Sequence, residues 1–286
     1  MTLARAAEKR SSGRSQAPRL APARLLRADP LVALSVVVLC AVILCGLAAP
    51  LLSPFDPLEQ HFADVLKPPG TQGEGGTYWL GTDPLGRDLL SRIIYGARIS
   101  LLVGVLTVLV RGTLGVLIGL VGGYYGGKID DLLMRIADIQ LTLPFLIVAI
   151  AVLVVLGPGL GNLIIVLGLT GWVDFGRVVR SETLSLRQRD FVEAARASGA
   201  SNAAIMWRHI LPNTASVILV ISTLQVASVI IAEASLSFLG LGVPALTPTW
   251  GKEISEGRDY AAIAWWLPTF PGVAIFATVL AINILG

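Results

Sequence analysis

Apolar residues in this chain fall into long uninterrupted runs rather than into alternating or one-faced stripes. Leu31–Leu52 carries no charge, and Ile99–Tyr125 carries one, Arg111. Runs above about 18 residues are long enough to span a bilayer, which takes roughly 20 residues of helix. Six such spans emerge: Leu31–Leu52, Ile99–Gly123, Ile136–Leu156, Leu163–Val179, Asn213–Leu239 and Ala262–Leu285. The fourth is the weakest, because Asp174 interrupts it and Arg177 and Arg180 close it early. Gly157-Pro158-Gly159-Leu160-Gly161 reads as a tight turn between the third and fourth. The predicted fold class is an all-α membrane protein with six transmembrane helices.

Composition agrees. Of 286 residues, 54% are hydrophobic and 14% charged, against about 25% charged in soluble domains. A soluble enzyme, a disordered chain and a disulfide scaffold are excluded. The net charge of +3 does not point to nucleic acid, because the basic residues sort by membrane side. Fifteen Lys and Arg fall on one side of the predicted spans, seven of them ahead of the first, and six on the other. That bias puts the N-terminus, and with it the C-terminus, in the cytoplasm. Residues 1–30 are then a basic cytoplasmic segment, 31–52 the first transmembrane helix, 53–98 an extracytoplasmic segment, and 99–286 a five-helix core with a cytoplasmic loop at about 187–212. The first apolar run is too long for a cleaved signal, whose apolar core is about 7 to 15 residues. Leu39 and Leu44 precede the two cysteines, where a lipoprotein would carry a small residue. Cys40 and Cys45 are five residues apart on one helix and point to different sides, so no bridge is expected. The sequence ends at Gly286, directly after the sixth span, and a longer natural chain is expected.

Three segments between spans carry pattern. In the first outer segment, Asp83 followed by Pro84 reads as a helix start, and Leu85, Leu89 and Ile93 recur at four-residue spacing. An amphipathic helix on the outer membrane face is predicted there. The second, Gly240–Ala261, is rich in Gly, Pro and Trp and predicts an ordered cap. The inner one is the most informative. Asp190 is placed to cap a short helix that Glu193 answers three residues on, and Gly199 suits a left-handed stop. Ser201 is placed to cap a second helix with Ile205, Met206 and Ile210, which Pro212 follows as the chain turns into span five. Two short helices about a glycine joint form a knob for a partner to grip.

At these residues the sequence resembles a known family. Glu193-Ala194-Ala195, Gly199 and Leu211-Pro212 resemble the EAA motif of permease subunits of ATP-binding-cassette importers of the type I class. One position departs, since His209 stands where the family carries Ile. His209-Ile210-Leu211-Pro212-Asn213 is similar to the dipeptide, oligopeptide and nickel branch. Gly81–Asp88, Leu143-Pro144, Glu233–Gly242 and Ala49–Pro54 look like that branch's C-type subunit. The resemblance implies a pathway shared with a second homologous permease subunit and an extracytoplasmic solute-binding protein outside. It also implies two ATPase subunits, holding ATP and Mg, that grip the loop through Asp190, Glu193, Ala194, Ala195, Gly199, His209, Leu211 and Pro212. The chain itself is then no enzyme and binds no cofactor; its other surroundings are membrane lipid, with no nucleic acid. Di- and oligopeptides are the substrates the branch implies first, with nickel, glutathione or another small solute next. The contrasting class is an ATP-independent carrier or channel.

Other motifs dissolve on inspection. Gly122–Lys128 matches a phosphate-binding loop except at Ile129, where the hydroxyl is missing, and it follows a membrane helix rather than a strand. Gly115, Gly119 and Gly123 read better as a small-residue stripe for close helix approach. His61 and His209 fall on opposite sides of the membrane and make no metal pair. The intramembrane charges remain. Arg111 and Asp174 both fall roughly 18 Å deep and are candidates for an ion pair or for the pathway, unless each faces a partner subunit or a polar pocket of its own. Glu233 falls near the outer boundary, as a gate or substrate residue or, more plainly, a packing one.

Overall fold

The structure is a computed structural model that describes residues 29–244 and 246–286. The seven basic residues ahead of the first span lie outside the described residues. The first span is α1 (Pro30–Leu47), capped by the Asp29 carboxylate accepting from the Leu31 N–H at 2.9 Å and continued by a short helix, α2 (Ala49–Leu52). The second is α3 (Leu89–Tyr125), 37 residues and about 55 Å long, so it projects beyond the hydrocarbon.

The first outer segment departs from its prediction. Asp83 starts no helix: its Oδ1 accepts from the Leu85 and Arg87 N–H groups at 2.8 and 2.9 Å, closing a tight turn in which Gly86 adopts φ +72°. A Cβ on Gly86 would lie inside the His61 carbonyl. The helix begins five residues later with Asp88 as its cap, accepting from Ser91 N and Oγ at 2.7 and 2.6 Å. The predicted amphipathic stretch is therefore the outer end of the second span, not a separate surface helix. Before it, β1 (Thr71–Gly73) pairs antiparallel with β2 (Gly76–Tyr78), which the apolar pattern gave no means to foresee. Tyr78 is fully buried and donates to Asp64 at 3.1 Å; burial, then that carboxylate, push its phenol up to about 12.

The third span is broken. α4 (Gly127–Thr142) and α5 (Phe145–Leu156) meet at 84° across Leu143-Pro144. Leu143 is extended (φ −98°, ψ 128°), as a residue before proline prefers. The fourth is also two helices, α6 (Leu160–Thr170) and α7 (Trp172–Leu186), jointed at Gly171. On the inner side lie α8 (Asp190–Ala197) and α9 (Asn202–Ile205). A π-helical turn, Met206–Ile210, then leads straight into α10 (Leu211–Phe238), where the Leu211 N–H donates to Met206 O. The chain does not turn at Pro212, because proline fits the first turn of a helix and the wider π turn spares it the donor it lacks. An outer helix, α11 (Trp250–Gly257), and the sixth span, α12 (Trp266–Leu285), complete the fold.

The most extensive helix pair is α3 with α7, and the glycine stripe makes it. A Cβ on Gly115 would meet Phe175 Cβ at 2.4 Å and Trp172 O at 2.5 Å; on Gly119, Gly176 O at 2.6 Å; on Gly123, Thr183 Cβ at 2.7 Å. Backbone therefore touches backbone along three turns. Gly115→Val is expected to lower the thermal unfolding temperature of the purified complex sharply, since neither helix can yield. Gly161→Ala, where a Cβ meets nothing within 4 Å, is expected to leave it unchanged.

Candidate functional site

Among the described residues, polar assemblies interrupt the apolar fold at its inner end, at mid-membrane and at its outer end. The inner one is the predicted knob. α8 starts with Arg189 in the cap position, without a side-chain bond, so Asp190 is the first helical residue and not the cap. Asp190 and Glu193 instead place two carboxylates in the first turn, where the helix dipole favours them. Gly199 holds φ +80°, as predicted, with open space around it. The Ser201 hydroxyl caps α9 through the Ala204 N–H at 3.3 Å.

Glu193, Ala194 and Gly199 are exposed, Ala195 is half-buried, and Val192 is fully buried against Ile205 and Ile210. His209 is half-buried in the π turn, its carbonyl accepting from Asn213 Nδ2 at 2.6 Å. Leu211 packs against the knob's core while Pro212 faces out. Two ties anchor the knob to the second span. Tyr124 Oη donates to Asn202 Oδ1 at 2.8 Å, and Arg187 Nη1 reaches the Gly123 and Tyr124 carbonyls at 3.0 and 3.2 Å. Those carbonyls are left open by the end of α3. Sequence reasoning missed these anchors, and also Phe191 and Trp207, aromatic rings exposed on the knob; an aromatic on a charged cytoplasmic loop is the signal that would have found them.

At mid-membrane, Arg111 and Asp174 do not touch. Arg111, buried, donates from Nε to Leu167 O and from Nη1 to Gln225 Oε1, each at 2.8 Å. Gln225 Nε2 in turn donates to Asp174 Oδ2 at 2.8 Å. The predicted pairing is thus a relay through an amide. The joint in the fourth span makes room for it: the Gly171 N–H bonds to Gly168 O, which frees Leu167 O for the guanidinium. A Cβ on Gly171 would lie 2.1 Å from Arg111 Nε. Gln225 was invisible to a search for charges. Asp174 itself is exposed. An apolar cavity of about 670 Å³, lined by Leu39, Gly46, Leu102 and Val226 among others, lies elsewhere.

The outer assembly is a buried ion cluster. Arg92, fully buried, binds Glu253 with two bonds of 2.8 and 2.6 Å and reaches Glu256 at 3.3 Å. Arg87 links Asp83 to Glu256, the latter at 2.7 Å. The cluster clamps the turn before α3 onto α11. Glu233 sits just beneath, fully buried, accepting from Ser237 at 2.7 Å and Ser100 at 3.3 Å. Its geometry is that of a packing residue rather than of one open to a passage.

Residues 115–286 match the family described as binding-protein-dependent transport system inner membrane component. The chain belongs to that family. Residues 23–69 also match the N-terminal transmembrane domain of oligopeptide transport permease C. Among curated relatives of this permease, the di/tripeptide transport system permease protein DppC of Pseudomonas aeruginosa (strain UCBPP-PA14) is 43% identical over 84% of this chain and 80% of its own. The glutathione transport system permease protein GsiD of Pectobacterium atrosepticum is 42% identical over 83% and 78%. A solved chain of the MetNI methionine ABC transporter, in an inward-facing conformation, shares the fold with a TM-score of 0.57. It is 19% identical and covers 68% of this chain and 92% of its own. The permease is thus an inner membrane component, as the hydropathy pattern predicted.

The tie between span two and the knob has a measurable strength. Removing one hydrogen bond of this kind costs about 1 kcal/mol. Tyr124→Phe is therefore expected to raise amide hydrogen exchange across 200–210 by about fivefold, while exchange in α11 stays as in wild type. Unchanged exchange at 200–210 would show that the hydroxyl anchors nothing.

Proposed function

We propose that this permease imports short peptides, di- and tripeptides first, as one half of the pathway of an ATP-driven importer. The observation that carries the reading is the extent of likeness to the di/tripeptide permease of Pseudomonas aeruginosa, which runs through the spans and the knob alike. Glutathione, itself a tripeptide, is the second reading, favoured by the similarly extensive likeness to the glutathione permease. A second homologous permease subunit supplies the other half, and a solute-binding protein delivers the peptide to the outer cap. Two ATPase subunits, which hold ATP and Mg, grip α8 from below.

The knob suits that coupling. Its charged first turn and exposed Phe191 present a surface to a groove, while buried Val192 and the Tyr124 and Arg187 ties make it one body with spans two and four. A pull on α8 is then felt by α3 directly, and by α10 through the unbroken helix that begins at the π turn. Closing of the ATPases draws the knobs of the two permeases together and rocks the spans from inward-open to outward-open.

The test is uptake of a labelled dipeptide in cells lacking the chain. Wild type is expected to restore uptake and Gly199→Asp to abolish it while the variant still reaches the membrane. A Cβ at φ +80° strains the joint although nothing crowds it. Uptake that never depended on the chain would remove the peptide assignment and send the same assay to glutathione; normal uptake by the variant would remove the coupling role of the joint.

A further inference from the structure

The helix α7 carries an exposed face that no lipid would tolerate. Asp174, Arg177, Ser181, Ser185 and, just beyond its end, Gln188 are exposed and recur every three to four residues, so they form one stripe. The opposite face, Trp172, Phe175, Gly176, Val179 and Thr183, is buried, much of it on the glycine seam of α3. In α6, the outer half of the same span, the large exposed side chains are Ile165 and Leu169, as lipid requires. The change in character falls at the Gly171 joint. A charged residue at mid-membrane is costly against hydrocarbon, and two of the stripe's members are charged.

Asp174 lies about 20 Å along the span from Leu160, farther from the cytoplasmic end of the span than any other member of the stripe. Its Oδ2 is held by Gln225, which turns the carboxylate without neutralising it. The Arg111 guanidinium that balances its charge is buried on the far side of that amide, where a solute cannot meet it. Arg177, next along, already pairs with Asp138 of α4 at 2.6 Å. A cation moving along the stripe therefore meets one exposed carboxylate at depth that has no cation in direct contact.

We propose that the exposed stripe of α7 lines the aqueous passage of the permease, and that Asp174 receives the ammonium group of the peptide as it passes. The inference rests on the peptide-import reading above. It adds a chemical requirement: the transported molecule carries a free amino group, and this carboxylate lowers the barrier to carrying that charge across the low-dielectric middle of the membrane.

The test uses the assembled importer in proteoliposomes, with Cys40→Ser and Cys45→Ser to remove the native thiols. Single cysteines replace Asp174, Arg177, Ser181 and Ser185, and for comparison Ile165 and Leu169. A charged, membrane-impermeant thiol reagent added on the cytoplasmic side is expected to label the four stripe positions and neither α6 position. A transported dipeptide is expected to slow labelling at position 174. In parallel, Asp174→Asn is expected to lower the maximal uptake rate about tenfold, the loss of one charge-assisted contact, with an unchanged half-saturating concentration, and Asp174→Glu to restore it. A structural role would not give that pattern, because asparagine keeps an oxygen to accept from Gln225 and removes only the charge. Silence at 174 and 177 in an importer whose parent takes up dipeptide would overturn the passage and assign the stripe to a partner helix. Full-rate uptake by Asp174→Asn would overturn the ammonium role. If the wild-type importer takes up no dipeptide at all, the peptide reading falls instead, and the labelling still decides the passage.

Discussion

The contact on which the cytoplasmic half depends is the glycine seam between α3 and α7. Inside a bilayer no hydrophobic effect drives helices together, so association relies on close packing. Three glycines at four-residue spacing allow α7 to lie backbone to backbone on α3, with the Phe175 and Thr183 side chains filling the grooves. The consequences reach further than packing. With one face of α7 fixed on the seam, its opposite face is fixed too, and that face is the polar stripe. Rotation of α7 by even a quarter turn would drive Asp174 and Arg177 into apolar neighbours.

The same seam aligns the inner ends of the two spans. The end of α3 leaves open carbonyls, and Arg187, just past α7, is placed to bond two of them. Tyr124 on the last turn of α3 then meets Asn202 across the knob. Charge is thus used differently at each depth. Outside, Arg92 and Glu253 form a buried bidentate pair, a kind that contributes little net stability when intact but is costly to leave half-made. Its effect is to fix where α11 sits. At mid-membrane the guanidinium is met by a carbonyl and an amide, and the compensating carboxylate is kept apart from it. A direct Arg111–Asp174 pair would have closed the stripe; the intervening Gln225 leaves it open.

Much of the fold was legible in the sequence because membrane spans announce themselves by length. The six runs, the positive bias and the glycine stripe all rest on properties of single residues or fixed spacings. The knob was legible for the same reason: Ser201 and Gly199 act within one turn of chain. What could not be read depends on contacts between distant segments. Asp83 and Asp88 are both residues that cap helices, and the contacts under which the first closes a turn, such as the His61 carbonyl against Gly86 and the Leu66 N–H on the Asp83 carbonyl, come from a distant segment. Arg111 and Asp174 were paired as candidates by depth, yet nothing in their spacing reveals an uncharged glutamine between them. Leu143-Pro144 was seen, but an 84° bend needs the packing of α5 against α6 to hold it.

The π turn at Met206–Ile210 brings these levels together. In the proposed importer a knob that follows a moving partner needs a stiff connection to the spans, and a loop before α10 would absorb the motion. The helix instead continues from α9 through the π turn into α10, with Ile205 and Ile210 buried in the knob's core on one side and Leu211 packed beside them. Gln225, fourteen residues above Leu211 on that same helix, is the residue that holds the Asp174 carboxylate. A displacement of the knob therefore reaches the carboxylate by two rigid routes, through α10 to Gln225 and through the glycine seam to α7. Any difference between those two movements changes the Gln225–Asp174 contact. In the importer proposed above, the polar relay at mid-membrane accordingly lies where a cytoplasmic movement would be converted into a change in what a passing solute meets.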